Sequence, residues 1–283
     1  MMQDNNGVHR ETKDTTGEKT AETAEDFGAR RTPAAKDRSA SSEELLAPWW
    51  HTALMVLLIV GLSVTGARQL HSSGNRPLHL LPNYMLTLVY EWLLAGLALW
   101  GLHMRGVPGR QLLGRWKPKL RDWLADFGAA IAFWLVAVMI LSVIAQVLRH
   151  GFGSNLDPRK IADTTQKLAP TTGTELVLFL ILSISAGICE EFVFRGYLQQ
   201  QFAKLGGRVW IGVVLAALVF GCAHGYEGIA GVLLIAAYGA MFGVLALLRR
   251  GLRTGMIAHA WHDSISGIAL VLLRHYGFHL GAK

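Results

Sequence analysis

The chain has 283 residues, is 52% hydrophobic and only 17% charged, and carries a formal net charge of +7. Soluble domains carry roughly 25% charged residues, so this composition argues against a water-soluble enzyme. The two cysteines, Cys189 and Cys222, both lie in apolar runs and give no disulfide framework.

Residues 1–46 are rich in Thr, Ala, Glu, Lys, Asp and Gly and almost lack aromatics. Such a segment buries too little apolar surface to offset its ordering entropy, and the expectation is a disordered cytosolic tail. No early apolar stretch marks a cleavable signal, so the first hydrophobic helix is expected to act as the anchor. Residues 1–47 hold 7 basic and 10 acidic side chains, and the remainder holds 20 and 10. The positive excess therefore belongs to the hydrophobic part. Its basic residues are scattered between apolar segments, which fits loops against anionic headgroups and not a nucleic-acid surface.

A bilayer core of about 30 Å takes roughly 20 apolar residues as helix. Seven segments qualify, near 48–67, 83–104, 124–148, 174–199, 209–224, 229–248 and 254–273. They are too long and too weakly alternating for barrel strands. The expected fold is all-α, a polytopic transmembrane helix bundle of about seven spans. N-terminal transmembrane helices occupy 47–173 and chemistry-bearing helices 174–273, with a C-terminal tail over 274–283. Trp49, Trp50, Trp116 and Trp123 read as interfacial anchors. Lys and Arg in the flanks number fifteen against eight if the N-terminus is cytosolic, which predicts N-terminus in and C-terminus out. Arg149, Arg159, Lys160 and Lys167 count against that orientation.

Ionisable residues inside a membrane are costly and mark function by default. The fourth segment reads SAGICEEFVFRGYL. Glu191 and Arg195 are four apart, the spacing of an ion pair on one helical face. Glu190 is then the freer carboxylate and a candidate general base. The fifth segment ends FGCAHGY, with His224 four residues after Phe220. The seventh reads MIAHAWHDSISG, where His259 and Asp263 share a face. His262 falls on another face and reads as a packing or interfacial residue. Glu91, alone in the second segment, suits a cavity wall or an interhelical pair equally. Cys189 and Cys222 read as small buried hydrophobes before they read as nucleophiles.

Taken in order, EEFVFR, FGCAH and HAWHD match Glu-Glu-x-x-x-Arg, Phe-x-x-x-His and His-x-x-x-Asn/Asp motifs. The set resembles the CAAX prenyl protease and bacteriocin-processing family, also called CAAX-protease-like or Abi. The resemblance covers about 174–273. It implies an intramembrane endopeptidase acting on a membrane-associated or prenylated-like peptide, in the lipid bilayer and without nucleic acid, with a bacterial inner membrane as the expected location. By the same resemblance Glu190 activates the hydrolytic water and His224 assists it. His259 and Asp263 stabilise the oxyanion, and Glu191 and Arg195 support the fourth helix. Asp263 departs from the commoner Asn, and an ionised Asp cannot donate a hydrogen bond. It suits orienting His259 better. The resemblance leaves the cofactor open between a divalent metal such as zinc, with Glu190, His224, His259 and Asp263 as candidate ligands, and none. The spacing is not His-Glu-x-x-His. Two other functions fit buried polar groups in a bundle: a non-catalytic membrane immunity or scaffold protein of the same fold, and a proton-coupled transporter with a relay carboxylate.

Overall fold

The computed structural model of the chain describes residues 44–73, 79–114, 119–152 and 159–276. The expectations for residues 1–43, Trp116 and residues 277–283 lie outside the described residues. Helix α1 spans Trp49–Ser73, α2 Leu80–His103, α3 Leu120–Phe152 and the short α4 Arg159–Leu168. Helix α5 runs Gly173–Glu190 and continues without a break through a π-helical segment, Glu191–Leu198, into α6, Gln199–Gly206. Helices α7 (Val209–Ala223), α8 (Gly228–Arg249) and α9 (Arg253–His275) complete the bundle. Among the described residues there is no strand beyond an isolated bridge between Gly114 and Gly251.

Local chemistry accounts for the helix starts. Pro48 precedes α1 and its carbonyl accepts from His51 and Thr52. A proline is tolerated at a helix start because no N–H is missed there. Thr172 caps α5 through a capping box, in which its hydroxyl accepts from the Glu175 N–H at 3.2 Å and the Glu175 carboxylate accepts from the Thr172 N–H at 3.1 Å.

The bundle has its polarity reversed relative to a soluble protein. Leu57, Leu86 and Leu93 are about two-thirds exposed, whereas Glu91, Glu191, Arg195, Asp126 and His259 are buried. Water penalises this arrangement and lipid rewards it, because only polar groups then need internal partners. Among the described residues six helices are long and apolar enough to cross a membrane, with α5, the π-segment and α6 forming one of 34 residues. The protein is an integral membrane protein. The fifth expected span, α7, has 15 residues. At 1.5 Å per residue it is about 22 Å long, short of a ~30 Å hydrocarbon core. The chain turns back through a 3-10 turn, Gly225–Glu227, into α8.

Helix α5 packs between α2 and α9, and α7 packs against α6 and α8. At Gly187 an added Cβ would meet the Met256 carbonyl at 2.7 Å and the Ala260 amide at 2.9 Å. Only glycine lets α5 and α9 approach so closely, the small-residue contact common between membrane helices.

One end of the bundle is tied by polar groups. Gln201 accepts from the amides of Leu46 (2.8 Å) and Ala47 (3.3 Å) and donates to the Ala47 carbonyl at 2.8 Å. The Leu252 amide donates to the Leu113 carbonyl. Asp126 of α3 binds Arg249 at 2.5 Å and Thr254 at 2.6 Å, and pairs with Arg253, whose guanidinium lies over Trp123. Asp126 thus joins α3 to the facing ends of α8 and α9. Asp126→Ala removes the carboxylate from the buried Arg253. It is expected to lower stability by about 2–3 kcal/mol, read as an earlier midpoint in denaturation of the detergent-solubilised protein.

Candidate active site

The fourth span does not remain α-helical where the glutamates lie. From Glu191 to Leu198 its hydrogen bonds run i→i+5, and all eight of these residues are buried. Such π-turns are rare and concentrate at functional sites. The wider turn narrows the angle between neighbouring side chains. Tyr197 anchors the segment to α1, its hydroxyl lying 2.9 Å from His51 Nδ1 and 3.0 Å from Thr52 Oγ1.

Both glutamates reach His259 of α9, each at a different ring nitrogen. Glu191 Oε1 lies 3.1 Å from Nδ1, and Glu190 Oε2 lies 3.6 Å from Nε2. Asp263 Oδ2 is 3.7 Å from the same Nε2. The two longer separations are ion-pair distances and not hydrogen bonds. A ring with carboxylates at both nitrogens satisfies them together only by donating from both.

Glu191 and Arg195 form the expected ion pair at 2.9 Å, with both side chains sealed from solvent. Arg195 also donates to the Gly239 carbonyl at 3.2 Å. Its guanidinium is packed over Phe220 of α7 (4.3 Å) and Phe242 of α8 (4.9 Å). Cation–π contact of this kind strengthens when desolvated. The pair is therefore clamped by aromatics from two other helices. Neither residue lines the cavity; their partners Glu190 and His259 do.

That cavity has a volume of about 430 Å³ and is lined by Glu190, His224, His259 and Asp263. A second chamber of about 110 Å³ shares Glu190 and His224 with it. Of the six residues singled out by sequence, four thus line one cavity and two stand behind it. His224 has φ −102° and ψ 27°, in the sparsely populated bridge region where active-site residues often sit. Its Nδ1 is 2.9 Å from the Phe220 carbonyl. A carbonyl only accepts, so Nδ1 carries a proton, and in the neutral ring this leaves the lone pair on Nε2. Among the described residues no group of three or more His, Cys, Asp or Glu side chains is arranged to hold a metal ion.

Glu91, which the sequence suited equally to a cavity wall or an interhelical pair, lines both chambers and accepts from Ser185 Oγ at 2.8 Å. His262 also lines the cavity, contrary to its reading as a packing residue. Residues three apart on a helix are only about 60° apart, so a broad cavity takes in both His259 and His262. Tyr226, Glu227 and Tyr238 complete the polar wall, and nothing in their local sequence marks them. Cys189 is buried beside Glu190, whereas Cys222 is exposed on the outside of α7.

Glycine at 255 makes room for the sealed carboxylate. An added Cβ would lie 2.9 Å from Glu191 Oε2 and 3.4 Å from its carbon. Gly255→Ala is expected to push Glu191 off its partners and destabilise the protein by about 1–3 kcal/mol, measured as a lowered thermal midpoint in detergent. Arg195→Gln leaves Glu191 buried without its guanidinium, and a loss of about 3–5 kcal/mol is expected in the same measurement.

Residues 172–265 match the family described as type II CAAX prenyl endopeptidase Rce1-like. No curated protein and no solved structure matches the chain. All six residues singled out by sequence fall within the matched segment, as do both ends of the π-turn. Over residues 172–265, about a third of its length, this membrane-spanning bundle is similar to the type II CAAX prenyl endopeptidase Rce1-like family.

Proposed function

We propose that the chain is an active intramembrane endopeptidase that hydrolyses a membrane-associated peptide with a glutamate-activated water. One observation carries this reading: Glu190, His224, His259 and Asp263, drawn from three helices, line a single cavity inside an apolar bundle. Peptide hydrolysis needs a base for water, a means of balancing the developing charge, and shielding from bulk solvent.

Glu190 is the cavity-facing carboxylate, and its Oε2 has no hydrogen-bond partner among the described residues. It takes a proton from water as the water oxygen bonds to the scissile carbonyl carbon. His224 presents the lone pair of Nε2 to the same water and orients it. The protonated Glu190 then passes its proton to the leaving amine as the C–N bond breaks. His259, held by Glu191 from behind, supplies positive charge beside Glu190 and is oriented by Asp263. The rest of the cavity wall is largely apolar, with Phe179, Leu182, Leu234, Ile235 and Leu270. Such a wall suits an apolar or lipid-attached peptide.

The basic loops support an N-terminus on the cytosolic side. Arg105, Arg110, Lys119 and Arg250 lie near the end where the Leu113 and Leu252 segments meet. The bacterial inner membrane remains the favoured location.

The test uses purified protein in liposomes and a membrane-anchored peptide carrying a fluorescent reporter. Glu190→Gln and His224→Ala are each expected to lower kcat/KM by about 10²–10⁴-fold while eluting as the wild-type species on size exclusion. Wild-type turnover in Glu190→Gln would falsify the glutamate mechanism. Absence of cleavage by the wild-type protein, with a partner retained equally by Glu190→Gln, would favour the scaffold reading.

A further inference from the structure

Glu190 and His224 stand where two chambers meet. Thr87, Glu91, Glu190, His224 and Tyr226 line both. The chambers differ in size and so in what they can hold. The larger, of about 430 Å³, falls within the roughly 300–1,000 Å³ of ligand-binding clefts. The smaller, of about 110 Å³, cannot take a length of peptide. It has room for about three waters at ~30 Å³ each.

A buried chamber holds water only where polar groups can bond it, roughly two to four for each molecule. Glu91 of α2 is one such group. It is 5% exposed and lies within a membrane-spanning helix. Ser185 Oγ donates to its Oε2 at 2.8 Å, and among the described residues no basic side chain forms an ion pair with it. A carboxylate offers about four acceptor sites, so one hydrogen bond leaves most of its capacity unmet, which is costly away from water. Glu190 turns Oε2 to His259 at 3.6 Å and has Oε1 left for water. The neutral His224 ring has its lone pair on Nε2. Three acceptors, from α2, α5 and the end of α7, thus border one small volume. Leu94, Val193 and Phe194 are among the apolar residues that close it.

We propose that the smaller chamber is the site from which water is fed to Glu190, and that Glu91 is the positioning residue that holds this water, acting from α2, outside the three sequence motifs. The proposal rests on the endopeptidase reading above. Lipid offers no water to a buried hydrolytic site, so a store beside the base serves each turnover. The peptide occupies the larger cavity and water the smaller, with Glu190 and His224 between them. When one water adds to the scissile carbonyl carbon and gives its proton to Glu190, the next, held by Glu91, moves into its place. Glu91 takes no proton in this step and acts through the water it holds.

Glu91→Leu removes the polar group from the chamber. In the liposome assay kcat is expected to fall about 10²-fold, with KM within about two-fold. The thermal midpoint in detergent is expected to hold or rise, because an apolar side chain replaces a buried carboxyl. Glu91→Gln still accepts from Ser185 and still binds water, and its kcat is expected within about ten-fold of wild type. Leu94→Phe fills the chamber whereas Leu94→Ala enlarges it. Both disturb the same packing, yet kcat is expected to be at least about ten-fold lower in the Phe variant. A kcat within about three-fold of wild type in Glu91→Leu, with Glu190→Gln inactive, overturns the proposal and leaves the endopeptidase reading intact. A kcat loss matched by a lowered thermal midpoint, and not recovered in Glu91→Gln, overturns it in favour of a structural role. A raised KM at unchanged kcat in Leu94→Phe also overturns it, and marks the chamber as a pocket for a peptide side chain. If the wild-type protein cleaves nothing and Glu190→Gln behaves identically, both readings fall.

Discussion

The Glu191–Arg195 ion pair governs the arrangement of the rest. Both side chains are sealed from solvent, in a bundle whose outer surface is apolar. Taking two charges out of water is costly unless geometry and further hydrogen bonds compensate. The compensation here comes from other helices: Phe220 of α7, Phe242 and the Gly239 carbonyl of α8, and His259 of α9. Meeting the needs of one charge pair thus fixes the relative positions of four helices. The same pair sets the orientation of His259, the residue through which the sealed glutamate meets the cavity-facing one.

The π-segment explains how two adjacent glutamates take different roles. Glu191 turns into the sealed pair and Glu190 faces the cavity, yet both approach one imidazole. In a regular α-helix neighbours are about 100° apart. The π-segment begins at Glu191, just after the cavity-facing glutamate, and Tyr197 holds it in place through His51 and Thr52 of α1. Helix α1 contributes no residue to the cavity, but it supports the segment that does. The shortness of α7 has a matching effect, because it leaves His224 inside the bundle on the bend into α8.

Several elements were legible in the sequence for identifiable reasons. Lipid imposes long apolar helices, so the spans and the all-helical class follow from run length alone. Charged residues in such runs are scarce, and each therefore carries information; Glu190, Glu191, Arg195, His259 and Asp263 stood out on that basis. The i, i+4 spacing of Glu191 and Arg195 foretold their pairing. His262 was misjudged because a helical face was taken as narrower than the cavity that it borders. Tyr238 and Tyr226 were invisible, since tyrosines in membrane helices usually belong to packing or to the interface.

The sequence by itself determined the membrane environment, the helical class, the order of the motif residues and the family they resemble. Those properties follow from composition, run length and local spacing, which lipid and helix geometry translate directly into structure. Only the tertiary structure decided which aromatic rings clamp Arg195, how both glutamates meet one imidazole, and which further side chains line the cavity. Each of these depends on contacts between residues distant in the chain, such as Glu191 with His259 and Trp134 with His262. Helix packing sets such contacts through side-chain shape, and local sequence carries no record of it. The i, i+4 spacing of Glu191 and Arg195 separated the paired carboxylate from Glu190 in the sequence, while the partners that seal the pair, from α7, α8 and α9, belong to the fold.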